Sequence, residues 1–308
     1  MIVLTEAEVR RRLDPAMVIA AVESAFRDRF PSIIVPVRTK IRLAAGVSLF
    51  MPCYDESRHA LGMKIVMAQD RPLRAEDGIQ ATYLLLDPET GRPTATIAAK
   101  YLTDVRTAAT SAVATKLLAR EDARVLGIFG TGRQAEVHAK LVPLVRPIER
   151  MLVCGRDSTR GVEFARRMAA ELGIPVEAAD PPTCVAKSDI ICTCTNSPVP
   201  LIDGTLLRPG THLNLVGAFQ PHTREVDSMT IQRARVVVEA RDAALAEAGD
   251  LLIPMSEGLI QPDHILADLH ELLNGKKVVR ESSADITIFK SVGNALEDLA
   301  TAELLMAS

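Results

Sequence analysis

Aromatic side chains are scarce in this chain of 308 residues, which has no tryptophan, three tyrosines and seven phenylalanines. So few rings leave little for bases to stack on, and a formal net charge of −3 gives no basic footprint for a phosphate backbone. A nucleic-acid partner is excluded on both counts. No apolar run reaches the roughly 18 residues that a membrane-spanning helix requires. The N-terminus, Met-Ile-Val-Leu-Thr-Glu-Ala-Glu, is acidic and lacks the basic-then-apolar order of a secretory leader. Cysteine is sparse too, with five residues, and Cys192 and Cys194 alternate within one apolar run. Small core thiols in a reducing, cytoplasmic setting are the expectation. The six histidines are scattered without metal-ligand spacing, so no metal is expected. What remains is a chain 48% hydrophobic and long enough that two cores are the natural reading.

Against this background one segment stands out, Arg124-Val-Leu-Gly-Ile-Phe-Gly130-Thr-Gly132-Arg-Gln-Ala135. A short apolar run of strand character stops at Gly130, and an amphipathic helical pattern begins near Arg133. The spacing is G-x-G-x-x-A. Gly130 permits a tight strand-to-helix turn, Gly132 lets backbone approach a pyrophosphate, and Ala135 keeps helix and strand close. A glycine turn before a helix also has plain structural uses, so the flanking pattern decides. Apolar runs at 151–154, 176–179, 188–195, 213–216, 235–239 and 286–289 alternate with helical stretches such as 136–145 and 160–172. That rhythm predicts a parallel, doubly wound sheet with ligand at the strand carboxyl ends. A Rossmann dinucleotide-binding domain is expected over 121–290.

Cofactor contacts are expected from Gly130, Thr131, Gly132, Arg133 and Gln134 at the turn, and from Thr195 and Val216 at the ends of later strands. In a NAD site an acidic residue ends the second strand and accepts from the ribose hydroxyls. Here Gly155 and Arg156 occupy that end, and Asp157 falls one or two places late. Arg156, with Ser158 or Arg160 assisting, suits a 2′-phosphate, so NADPH is the preferred cofactor and NAD the alternative. The plain reading of the same residues is a solvent-facing turn with Arg156 paired to Asp157.

The first third is organised differently. Thr5 and Glu8 form a capping box, and helical periodicity runs over Val9–Arg27. From Ile33 to about Asp87 the pattern changes to strands, at 39–43, 47–51, 62–67 and 81–86, with a hairpin turn near Gly91–Pro93. A helix rich in small residues, Thr103–Ala119, leads into the dinucleotide domain.

Seven landmarks in order give the chain a specific resemblance. They are Pro36-Val-Arg38-Thr, Leu61-Gly-Met-Lys64-Ile-Val, Leu102-Thr-Asp-Val-Arg106-Thr-Ala-Ala, Gly130-Thr-Gly-Arg-Gln-Ala135, Gly217-Ala-Phe-Gln-Pro221 with Arg224-Glu-Val-Asp227, Glu247-Ala-Gly-Asp250, and Ile288-Phe-Lys-Ser-Val-Gly293. From end to end the chain resembles the ornithine cyclodeaminase/mu-crystallin family. The resemblance implies an α/β fold, a Rossmann doubly wound parallel sheet plus an α+β substrate-binding and dimerisation domain formed by 1–120 with 291–308, and hence a homodimer. It also implies that Arg38, Lys64 and Arg106 bind a substrate carboxylate, with Lys64 and Arg106 closest to the chemistry. Arg suits a planar, bidentate carboxylate contact. Read without the family, Lys64 is an edge-strand charge facing water, Arg106 a helix-start residue paired with Asp104, and Arg42 lies near enough to replace Arg38.

The chemistry implied is delivery of hydride from NAD(P)H to a C=N carbon beside a carboxylate, with Lys64 or water managing the proton at nitrogen. Ornithine cyclodeaminases carry an aspartate in the matching Gly-x-Asp position, whereas this chain has Phe219. An apolar ring cannot accept a proton and disfavours a nearby ammonium, but it can pack on a cyclic substrate. The expected function is therefore reduction of a cyclic imino acid such as Δ1-pyrroline-2-carboxylate. The competing readings are an ornithine or lysine cyclodeaminase with Glu225 or Asp227 supplying the acid while Phe219 turns into the core, an alanine or arginine dehydrogenase, and a silent NADP-binding protein.

Overall fold

The computed structural model describes residues 1–69 and 78–307, which fall into two compact units, 1–110 with 294–308 and 111–293. The first opens with β1 (Ile2–Leu4) and α1 (Glu6–Arg12), whose capping box is formed by Thr5 and Glu8. The continuous helix expected over Val9–Arg27 is broken. Leu13 ends α1, and Asp14 caps a new helix, α2 (Pro15–Ser24), by accepting from Ala16 and Met17 N–H. Proline is suited to this first helical position because it has no N–H to waste, and that is where the restart occurs.

Strands β2 (Ile33–Ile34), β3 (Thr39–Leu43), β4 (Gly46–Asp55), β5 (Ala60–Gln69), β6 (Ile79–Leu86) and β7 (Pro93–Ala98) follow. They form a seven-stranded mixed sheet in the order β1-β7-β6-β5-β4-β2, with β3 also paired to β4. Among the described residues only β1 and β7 run parallel in it. Asp87 shapes the β6–β7 turn by accepting from the Glu89 and Thr90 N–H groups, and Gly91 takes φ +69°. Along β5, Gly62, Lys64 and Val66 point to one buried face. A lysine in that alternation is carried into the interior with its apolar neighbours.

Helix α3 (Lys100–Leu118) carries the chain from the first unit into the second. There β8 (Val125–Phe129), α4 (Arg133–Leu141), β9 (Arg150–Cys154), α5 (Ser158–Leu172), β10 (Val176–Ala178), α6 (Pro181–Lys187), β11 (Ile190–Thr193), β12 (His212–Leu215), α7 (Ser228–Gln232), β13 (Ala234–Val238), α8 (Arg241–Glu247), α9 (Gly249–Ser256), β14 (Ile265–Asp268), α10 (Leu269–Leu273) and β15 (Ile286–Lys290) build an eight-stranded sheet. Its order is β10-β9-β8-β11-β12-β15-β13-β14, and every described pair is parallel. Leu126 and Ile128 pack into one core cluster with Met151, Val153 and Ile190, while Phe129 and Leu152 pack into another with Leu213 and Ile288. Both faces are covered, which is why these strands read as continuous apolar runs. The chain winds outward from β8 to β10, then returns to β11 on the other side of β8, so the switch in winding lies at the carboxyl ends of β8 and β11. Open α/β sheets bind their ligands at such a switch.

The chain closes with α11 (Ala295–Ala307), which belongs to the first unit and packs across β4 and β5. No described helix is long and apolar enough to cross a membrane.

Candidate active site

The glycine turn sits at that switch point. Gly130 has φ +114°, and a Cβ there would stand 2.6 Å from the Cys194 carbonyl oxygen, so glycine is required by both conformation and space. Its N–H donates to Cys154 O (2.8 Å) and Cys194 N–H donates to Phe129 O (2.8 Å), which laces the ends of β9, β8 and β11 together. Gly132 differs, because a Cβ there meets nothing within 4 Å. The protein's own packing does not ask for glycine at 132; a ligand lying on the backbone would. Gly132 is also the N-cap of α4, and no side chain caps that end. The positive dipole end of a nine-residue helix thus carries no side-chain cap, which suits an anion. Ala135 is fully buried, and Thr131 Cγ2 lies 3.0 Å from where a Gly155 Cβ would be. Arg133 is exposed and Gln134 half-buried at the start of the helix. These features fit a dinucleotide.

After β9, Arg156, Asp157 and Ser158 are all exposed. Asp157 caps α5 by accepting from Arg160 N–H (3.2 Å), so the late carboxylate has a structural employment. Arg156 precedes that cap.

Further along the sheet, the tails of β11 and β12 are clamped by one buried carboxylate. Glu225 accepts from Thr195 N–H (2.8 Å) and hydroxyl (2.6 Å), Thr193 hydroxyl (2.7 Å), and the Gly217 (2.7 Å) and Ala218 (3.2 Å) N–H groups. Asp250 in turn accepts from Glu225 N–H (2.7 Å) and pairs with Lys290 (2.9 Å), and Lys290 donates to Ala218 O (2.5 Å). Thr195 is therefore half-buried and held from both ends, and Val216, buried at 9% exposure, follows β12 directly. Asp227 caps α7 and accepts from Gly204 and Thr230. Neither Glu225 nor Asp227 is available as the replacement acid weighed from sequence. Phe219 packs against the adjoining core cluster but stays half-buried, between the two orientations expected of it.

The first unit holds the cations. Lys64 is 1% exposed and its Nζ lies 2.8 Å from Asp298 Oδ1, so it is not an edge-strand charge facing water. Arg106, 4% exposed on α3, pairs through Nη1 with Glu297 and through Nε with Asp298 (2.9 Å). These pairs reach the far end of the chain, beyond the local partner Asp104 that the sequence suggested. Burial lowers the Lys64 ammonium to about 8, helped by repulsion from Arg106 and Arg38 and opposed by Asp298. Arg38 is half-buried and its charge bears on Lys64, whereas Arg42 lies exposed on β3. Among the described residues, no group of three or more His, Cys, Asp or Glu is arranged to hold a metal ion.

Sequence reasoning missed Asp298 and Glu297, and it missed the clamp formed by Glu225, Asp250 and Lys290. A signal for the first pair existed: two adjacent acids between Leu296 and Leu299, in a final helix otherwise made largely of apolar residues. Buried acids in such a helix need cations.

Known proteins align with the whole of this architecture. The sequence profile of the ornithine cyclodeaminase/mu-crystallin family matches residues 1–307. A Δ1-pyrroline-2-carboxylate reductase from Bacillus cereus is 37% identical over 311 aligned positions, covering 99% of this chain and 95% of its own length. The structure of Thermococcus litoralis Δ1-pyrroline-2-carboxylate reductase in complex with NADH and L-proline superposes with a TM-score of 0.95 at 38% identity, over 100% of this chain and 97% of that one. An archaeal alanine dehydrogenase dimer with bound NAD superposes with a TM-score of 0.92 at 28% identity, over 100% and 95% of the two chains. With the glycine turn, the cation cluster and this full-length match together, the chain belongs to the ornithine cyclodeaminase/mu-crystallin family.

Proposed function

We propose that this protein is an NAD(P)H-dependent reductase that converts a cyclic imino acid, Δ1-pyrroline-2-carboxylate or a related ketimine, to the cyclic amino acid. The observation that carries the reading is the buried Lys64–Arg106 pair, two cations kept out of water where a small substrate's carboxylate can be bound. The reductases from Bacillus cereus and Thermococcus litoralis support it, the second with L-proline as its bound amino acid. A nicotinamide dinucleotide supplies the hydride when bound. Gly130, Thr131, Gly132, Arg133 and Gln134 at the start of α4 would hold it, together with Thr195 and Val216 at the ends of later strands. Arg156 favours NADPH, because Asp157 is spent on capping α5.

The chain's own residues then bind, orient and manage a proton. The planar Arg106 fork and the Lys64 ammonium hold the carboxylate, and Arg38 adds a third positive charge. Held by its carboxylate, the substrate keeps its C=N carbon in one orientation. Lys64, with a pKa of about 8, is largely protonated at neutral pH and close enough to that value to give its proton to the imine nitrogen or to a water that does. The half-buried Phe219 ring offers an apolar surface to a cyclic substrate and none to an ammonium. A homodimer is the proposed assembly, as in the archaeal alanine dehydrogenase.

The test is direct. Δ1-pyrroline-2-carboxylate with NADPH or NADH should give substrate-dependent loss of nicotinamide absorbance and stoichiometric proline. Steady release of ammonia and proline from L-ornithine with catalytic NAD, and no net NADH, would overturn the reading in favour of a cyclodeaminase. Activity confined to pyruvate with ammonium would point to an alanine dehydrogenase.

A further inference from the structure

The two substrate cations are tethered to each other through a single carboxylate oxygen. Asp298 Oδ1 lies 2.8 Å from Lys64 Nζ and 2.9 Å from Arg106 Nε, while Glu297 takes Arg106 Nη1. The four side chains come from β5, α3 and α11, and none is more than 5% exposed. Two cations this close and out of water repel strongly, and neither holds a fixed position without an anion beside it. We propose that Asp298 is the positioning residue of the substrate site, spacing Lys64 and Arg106 on one carboxylate oxygen while Glu297 fixes the other side of the Arg106 fork. This rests on the imine-reductase reading only for the identity of what the two cations hold.

The charge balance supports a role beyond stability. Lys64 and Arg106 are matched by Asp298 and Glu297, two against two, so the four groups together are neutral. Arg38 is close enough for its charge to act on Lys64. The groups facing Lys64 are Asp298 from α11, Arg106 from α3, Arg38 from ahead of β3, and Tyr83 and Met51 opposite it on β6 and β4. Tyr83 is buried and pushed well above its ordinary value, so it stays neutral. Asp298 is thus the anion that keeps Lys64 charged. Without it Arg106 and Arg38 would still repel the amine, and its pKa would fall below the present value of about 8.

The experiment compares wild type with Asp298→Asn in two measurements. One is an NMR titration of isotope-labelled lysine, with Lys64 assigned through Lys64→Arg. The other is the pH profile of kcat/KM for a cyclic imine. The Lys64 titration should move down by about one pH unit or more. The alkaline limb of kcat/KM should move with it, because activity that needs the ammonium is lost as pH rises through its pKa. At neutral pH kcat/KM should fall roughly 10–100-fold, mainly through KM, with NADPH affinity unchanged. A Lys64 titration and alkaline limb that stay in place would overturn the proposal. If the wild type reduces no cyclic imine, the functional reading fails while the lysine titration still decides the positioning role. Should Asp298→Asn fail to fold, Asp298→Glu keeps the charge and displaces it by one methylene; a raised KM supports the proposal, and an unchanged KM overturns it.

Discussion

Among the described residues two buried lysine–aspartate pairs have nearly the same length and different surroundings. Lys64 and Asp298 are 2.8 Å apart in the mixed-sheet unit, and Lys290 and Asp250 are 2.9 Å apart in the parallel-sheet unit. Side-chain exposure does not separate them, at 1% and 0% for the first pair and 0% for both members of the second. Their remaining bonds do. Lys290 donates onward to Ala218 O, and Asp250 accepts from the Glu225 and Val226 N–H groups, so this pair is spent on backbone. The first pair is instead joined to a second cation, Arg106, and lies within reach of a third, Arg38. A buried ion pair saturated by main chain fixes a fold, whereas one that gathers further like charges fits the proposed role of holding a ligand of opposite charge. The rule follows from the cost of burying charge: evolution tolerates repelling cations in an interior only where something else gains from them.

The comparison predicts unequal losses of stability. Lys290→Met strands Asp250 without its cation and should lower the unfolding free energy by about 3–5 kcal/mol, read by chemical denaturation. Lys64→Met should cost clearly less, because Asp298 retains Arg106. Equal losses would break the distinction. Activity should order the variants differently. Arg106→Ala should reduce kcat/KM for a cyclic imine at least 10-fold, and more because Glu297 loses a buried partner, with cofactor affinity nearly unchanged. Unaltered kinetics in that variant would remove the first unit's claim to the substrate.

Two smaller effects sharpen the second unit's part. Arg156→Ala should weaken NADPH binding roughly 10–100-fold and leave NADH binding little changed, as fluorescence titration with each cofactor can measure. Equal wild-type affinity for the two would count against the assignment. Asp157→Ala should cost only about 1 kcal/mol of stability, the worth of a helix N-cap, with no gain or loss in cofactor choice. A marked loss of NADH affinity there would mean that its carboxylate serves the ribose after all.

The two units also differ in how far the sequence announces them. The glycine turn, its strand and its helix are local, so Gly130 and Ala135 could be read from a dozen neighbouring residues, and the six strand runs expected between 151 and 289 appear within a residue or two of their places. β14 escaped, since Ile265–Asp268 is a four-residue run that breaks the apolar pattern with its aspartate. The break at Asp14–Pro15 was legible in principle and lost to the longer helical period. In the first unit, alternation placed Lys64 among apolar neighbours but could not say which face was covered. The answer lies 234 residues away, in an aspartate that only a returning helix brings to it. Pairings of that range leave no trace in periodicity or spacing, so the cations were legible through family motifs and their counter-charges were not.

The discontinuity of the first unit has a consequence for synthesis. Its seven strands leave the ribosome first, but the helix carrying Asp298 and Glu297 follows the entire inserted parallel-sheet unit. At ordinary elongation rates that is a delay of roughly 10–40 s. Throughout it Lys64 and Arg106 lack their carboxylates, and the apolar face that α11 will cover stays open. The inserted unit, contiguous in sequence, can collapse on its own schedule, while the earlier-made sheet waits for the last helix before it can shut its charges away. Nascent chains stalled before Ala295 should therefore expose the first unit to proteases and chaperones and shield the second.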